Sequence, residues 1–184
     1  ATIATLKSEQ DPARIAQTAL TPLSGAPDVD AATIASCTHI VALAGAEQIA
    51  AALETGADII IAGRTTDTAI IAALPIMRGD HAGAAWHGAK IGECGALCAT
   101  NPQSGVIMIE TDATSFTVTP LADGAHATPH TVSAHMLYEN SDPFILFEPG
   151  GHLDVTHARY TAVDDTSVRV TGAGECGGGH NPTT

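Results

Sequence analysis

Lys90, Glu93 and Cys94 lie close together in the segment Gly88-Ala-Lys-Ile-Gly-Glu-Cys-Gly-Ala96. Their side chains are suited to acid–base or nucleophilic chemistry. On a helix, an ammonium four residues before a thiol shares its face. There it would favour the thiolate and raise its reactivity. Glu93 sits between glycines, where a carboxylate adds little to packing, so it reads as a base or a ligand-binding acid. Gly88, Gly92 and Gly95 each cost about 1 kcal/mol relative to Ala in a helix interior. Something must therefore pack closely there, either another backbone or a ligand. The plainer reading is a tightly packed helix in which Cys94 is a small buried hydrophobe.

A second candidate is the turn Gly63-Arg-Thr-Thr-Asp67. The preceding run Ile59-Ile-Ile-Ala62 is short, β-branched and glycine-bounded, which predicts a strand buried on both faces. Gly63 permits a tight turn, and Thr65, Thr66 and Asp67 suit the cap of the apolar helix that starts at Thr68. A strand end facing a helix N-terminus is where open α/β folds hold ligands. Arg64 adds a forked cation fit for a carboxylate or phosphate. Otherwise it pairs with Asp58 or Asp67.

The nine histidines do not form a metal-binding pattern. The proposed cap at Thr128 separates His126 from His130, and His130 and His135 fall on different sides of a helix. His152 and Asp154 share a strand face but need a third ligand from elsewhere. No metal site is expected. The segment Glu148-Pro-Gly-Gly-His-Leu-Asp154 reads as a flexible loop with two carboxylates and an imidazole, either an active-site loop or a connection. There is no phosphate-binding loop and no nucleophile elbow, so no cofactor is expected.

Composition narrows the partners. The formal charge is -13 at pH 7, and the seven Lys and Arg residues are scattered. Without a basic stripe, nucleic acid and anionic membrane surfaces are not expected partners. No apolar run approaches the roughly 18 residues of a membrane span. Cys37, Cys94, Cys98 and Cys176 form no disulfide framework, which suits reduced thiols in the cytoplasm.

Helix and strand signals alternate through the first half. Short helices follow Asp11-Pro12 and Asp30, a strand is expected at His39–Leu43, and a helix runs from Ala46 to a stop at Gly56. A helix continues from Thr68 towards Arg78, with Pro75 as a kink or a shortening point. A further helix is expected around Gly88–Thr100. The second half reads as antiparallel strands at Gly105–Thr111, Ser115–Pro120, Phe144–Phe147, Leu153–His157, Arg159–Val163 and Ser167–Thr171, with a helix opened by Thr128-Pro129. The fold class is α/β: a mostly parallel sheet flanked by helices, with antiparallel strands in the second half. Residues 1–172 are expected to form one domain and the glycine-rich 173–184 a disordered tail.

These segments, in this order, resemble the acyclic terpene utilisation family of bacterial catabolic proteins. The resemblance rests on Gly56–Thr68, Gly92-Glu-Cys-Gly-Ala96, Thr128–Glu139, Asp142-Pro143 and Val168–Gly172. It implies an interior piece of a longer family protein. It also implies a cytoplasmic role in degrading branched acids carried as CoA thioesters. The expected enzyme is a lyase, hydratase or isomerase. It would take a small carboxylate or acyl-CoA, with Gly63, Arg64, Thr65, Thr66 and Asp67 binding substrate and Lys90, Glu93 and Cys94 doing the chemistry. The alternative is a non-catalytic binding or assembly subunit. Either way, a homo-oligomer or a complex with other chains is expected.

Overall fold

The computed structural model describes residues 1–18, 20, 26–102, 105–148 and 151–177. The described residues divide into two compact units, the first over 1–66 and the second over 67–177.

In the first unit, strand β1 (Ile3–Leu6) runs parallel to β2 (Ile59–Ala62), with Ile3 opposite Ile59. Helix α1 (Pro12–Ile15) is capped by the Asp11 carboxylate, which accepts the Ala13 N–H at 2.9 Å. Helix α2 (Ala31–Ser36) is capped by Asp30, which accepts from Thr33 N–H at 2.7 Å. Helix α3 (Ala46–Glu54) packs against β1 and stops before Gly56, whose φ is +69°. The strand expected at His39–Leu43 reduces to one antiparallel bridge between Val41 and Glu9. Nor is β2 buried on both faces. Ile59 and Ile61 are 48% and 56% exposed, because the sheet has two strands and only alternate residues are sheltered.

The second unit opens with α4 (Asp67–Met77), which contains Pro75, and α5 (Ala82–Gly92) packs along it. Residues Gly83 to Ala89 and Ile91 are all buried in α5. Small side chains let neighbours approach the helix from several sides, so it carries little amphipathic pattern. A four-stranded antiparallel sheet runs in the order β3 (Ile107–Thr111), β4 (Ser115–Pro120), β8 (Val168–Thr171), β7 (Arg159–Ala162). A three-stranded antiparallel sheet runs β5 (Ile145–Glu148), β6 (Gly151–Asp154), β9 (Gly174–Gly177). Helix α5 touches both sheets. Helix α6 (Pro129–His135) begins at Thr128, whose hydroxyl accepts Thr131 N–H at 3.1 Å.

The fold is thus a mixture of helices and strands, as expected, but the mostly parallel sheet is not found. Among the described residues only the β1–β2 pair is a parallel sheet; the other two sheets are antiparallel. Alternating strands and helices suggested crossovers within one sheet, whereas most pairs join through hairpins. Strand β9 lies within the glycine-rich end, and residues 178–184 fall outside the described ones.

The close of β8 has one backbone requirement. Gly172 has φ +81°, and a Cβ there would come within 2.5 Å of the His157 carbonyl oxygen. Gly172→Ala is expected to lose about 2 kcal/mol or more, since a left-handed conformation and a backbone collision combine. Urea unfolding measures this directly; an unchanged midpoint would show that the turn relaxes freely.

Candidate functional site

Lys90 lies in the last turn of α5, which ends at Gly92. The helix does not run on to Thr100. Glu93 turns to extended backbone and ends it, Cys94 follows at φ +49°, and only a short 3-10 turn comes after it at Gly95–Cys98. Lys90 and Cys94 therefore do not share a continuous helix face. The ammonium instead donates to Glu93 Oε2 at 2.6 Å, with the two side chains only 12% and 13% exposed.

The expected close packing at the glycines comes from isoleucine side chains. A Cβ on Gly92 would meet Ile71 and Ile109, and one on Gly95 would lie 2.5 Å from Ile107 Cδ1. At Gly88 the neighbours are Ile109 and Phe116.

Around Lys90 and Glu93 the structure adds groups that the sequence did not bring together. Glu148, at the end of β5, accepts a hydrogen bond from Thr68 Oγ1 at 2.9 Å. Burial raises the Glu148 pKa; the Thr68 bond and the Lys90 charge act the other way, and the Glu93 charge raises it. Lys90 and Glu148 line a cleft of about 270 Å³ together with Asn140, Ser141, Asp142 and Phe147. Glu93 is not among its lining residues; it stands behind Lys90. The segment from Glu148 is no loose loop over its described length, because β5 and β6 pair as antiparallel strands. Pro149 and Gly150 lie outside the described residues.

On the other side of Glu93, its backbone oxygen bonds His135 Nε2 at 2.8 Å. A carbonyl only accepts, so His135 carries its proton on Nε2. Burial lowers the His135 pKa, and Tyr138 stacks on its ring at 5.5 Å. The Tyr138 hydroxyl donates to Cys94 Sγ at 3.4 Å. Cys94 also lines an apolar groove with Gly92, Gly95, Leu97 and Ile107.

The substrate-binding candidates divide between the units. Gly63, Arg64, Thr65 and Thr66 belong to the first, and Asp67 opens the second. Gly63 is needed where Ser8 presses against the turn, and Ser8 Oγ accepts the Arg64 N–H at 2.6 Å. Thr65 bridges to Ala44, and Thr66 N–H donates to the Ala44 carbonyl at 3.1 Å. Asp67 is the first helical residue of α4, which leaves Thr66 in the cap position. The Arg64 side chain is exposed and forms no ion pair among the described residues; Asp58 instead accepts the Thr2 N–H at 2.7 Å. Among the described residues no group of three or more His, Cys, Asp or Glu side chains is placed to hold a metal.

The thiols give a direct test of this geometry. Cys37 and Cys94 are exposed, whereas Cys98 is buried and its pKa is pushed up to about 11 by burial. Iodoacetamide should label Cys37 and Cys94 in the native protein and reach Cys98 only on unfolding. Peptide mapping that finds Cys98 modified as fast as Cys94 would contradict the packing of the 3-10 turn.

No curated protein and no solved structure matches the chain. The model of the acyclic terpene utilisation family protein AtuA matches residues 3–184. With the match running through both units, the chain belongs to the acyclic terpene utilisation family.

Proposed function

We infer that this chain is a catabolic enzyme, or the substrate-handling piece of one. It would act by acid–base chemistry on a small branched carboxylate or its acyl-CoA ester, in the degradation of acyclic terpenes or related acids. Family membership supports the general role. The chemistry rests on one observation: a nearly buried Lys90–Glu93 ion pair whose ammonium lines a cleft beside the half-buried Glu148. A carboxyl whose pKa is raised by burial, beside a cation, is a setting that acid–base catalysis uses. Arg64 is a separate anion-binding candidate, because its guanidinium is exposed and unpaired among the described residues. The cytoplasm is the proposed location, where CoA thioesters are handled; no described helix is long and apolar enough to cross a membrane.

Saturation-transfer NMR with isovalerate and isovaleryl-CoA tests the reading. Binding of at least one is expected. Arg64→Lys should weaken it by roughly 1–3 kcal/mol if the forked contact is used. Full affinity in Arg64→Ala would remove that residue from the site. No binding of either probe at millimolar concentration would overturn the enzyme reading.

A binding or assembly subunit is the second reading, favoured by the first unit. Ile3, Ile59 and Ile61 are 61%, 48% and 56% exposed on its parallel pair. Parallel strands are normally covered on both faces, and open strand edges recruit partners. A homo-oligomer or a complex with other chains would cover them. Sedimentation should then show concentration-dependent association that Ile61→Asp weakens; a clean monomer at high concentration argues against it.

A further inference from the structure

We propose that Glu148 is the proton-transferring residue of this site and that, with Lys90, it supports enolate chemistry on a branched acyl thioester. The proposal rests on the acid–base reading above and assigns it a residue and a reaction class.

The geometry supplies each part. Lys90 is the one cation among the residues lining the cleft, and Glu148 lines the same cleft. Thr68 Oγ1 holds a Glu148 carboxyl oxygen at 2.9 Å, which fixes the orientation of the group. Glu93, behind Lys90, holds the ammonium at 2.6 Å and acts as a positioning residue. Asn140 and Ser141 line the cleft with groups that can hydrogen-bond the thioester, beside Ile145, Leu146 and Phe147, and Glu139 and Asp142 place two further carboxylates in it. Of the three carboxylates lining the cleft, Glu148 is the one held by Thr68, and with the Lys90 ammonium it suits a reaction in which a proton leaves carbon while negative charge develops on oxygen.

In this step the Glu148 carboxylate removes a proton from the carbon next to the thioester carbonyl. The C–H electron pair forms the carbon–carbon double bond of an enolate, and the carbonyl π pair moves onto oxygen. There it is paired by the Lys90 ammonium. Return of the proton from Glu148 to carbon closes the cycle. Nothing is oxidised or reduced and no co-reactant is consumed, so the reaction class is isomerisation or proton exchange beside a thioester. Burial of Glu148 makes it a stronger base than a solvated carboxylate once it is ionised, in line with the same role.

The test is hydrogen exchange of isovaleryl-CoA in deuterium oxide, followed by proton NMR. The protein should exchange the proton next to the carbonyl faster than buffer does. Glu148→Gln should slow this by roughly 100-fold or more, and Lys90→Met by a comparable factor. Saturation transfer from isovaleryl-CoA is expected to persist in Glu148→Gln, which separates binding from chemistry. Should that variant fail to fold, Thr68→Val keeps the carboxyl but releases it, and a roughly tenfold loss is expected. Unchanged exchange in the folded Glu148→Gln variant overturns the assignment and leaves the acid–base reading standing. Binding without exchange in the unmodified protein overturns the enolate step alone. Absence of both binding and exchange overturns the acid–base reading as well.

Discussion

Lowering the pH from 7 to 4 should remove roughly 3 kcal/mol of stability through one buried side chain, His87. His87 is fully buried in α5, between Phe116 at 5.2 Å and Tyr160 at 5.8 Å, both edge-on. Its Nε2 meets the Tyr160 hydroxyl at 3.1 Å, and its Nδ1 has no hydrogen-bond partner among the described residues. An imidazolium there would carry two N–H donors with one partner and no solvent. Burial accordingly lowers the pKa from 6.5 to about 3. Between those values the unfolded chain binds a proton that the folded chain does not. Stability from this group is therefore complete above pH 6.5 and falls as the pH drops towards 3. At roughly 1.4 kcal/mol per pKa unit, the full effect approaches 5 kcal/mol.

His87→Leu isolates the effect. At pH 7 the variant should be less stable by roughly 1–2 kcal/mol, since Tyr160 loses its partner. By pH 4 the order should reverse, because leucine has no proton to bind. Carboxylates titrate in both proteins and drop out of the difference. Urea unfolding at several pH values gives the two curves, and parallel curves would refute the assignment.

His87 also shows where the sequence stops being informative. Helix starts were legible when one residue and its neighbours set them, as at Asp11-Pro12, Asp30 and Thr128-Pro129. The pairing of Ile107–Thr111 with Ser115–Pro120 was legible for the same reason, since a short polar turn joins them. Helix α5 was not. Its true start at Ala82 has no side-chain cap, and small residues buried on several sides erase the periodic signal. Its end lies where Glu93 turns extended and Cys94 then adopts a left-handed conformation, and neither residue type has a local preference that marks the place.

The site was half legible for a related reason. Lys90 and Glu93 are neighbours along the chain, so their partnership lay within reach of spacing arguments. Thr68 and Glu148 are 80 residues apart and meet only through the fold. His135 and Tyr138 likewise approach Glu93 and Cys94 from another helix and its continuation. The exposed face of β2 went unseen because an isoleucine run looks the same whether one face is covered or both.

Removing both partners of the Lys90–Glu93 pair should destabilise the protein less than the two single losses summed. The side chains are 12% and 13% exposed, so each single change strands a charge with little solvent around it. Lys90→Met or Glu93→Gln alone should lose roughly 2–3 kcal/mol, at the lower end for breaking a buried ion pair because some solvent remains. The double variant should fall short of the summed losses by about 1.5 kcal/mol or more, since no charge is left unpaired. Urea unfolding of the four proteins supplies the cycle, and strictly additive losses would mean that the pair is solvated in solution. The cycle also bears on function. Lys90→Met takes from Glu148 a charge that favours its ionised form and leaves the repulsion from Glu93, so its carboxyl should hold its proton to higher pH. Adding Glu93→Gln removes that repulsion and should bring the Glu148 titration part of the way back. The double variant then keeps its fold but lacks the cation lining the cleft, so a loss of ligand signal in it reports the site and not the stability of the chain.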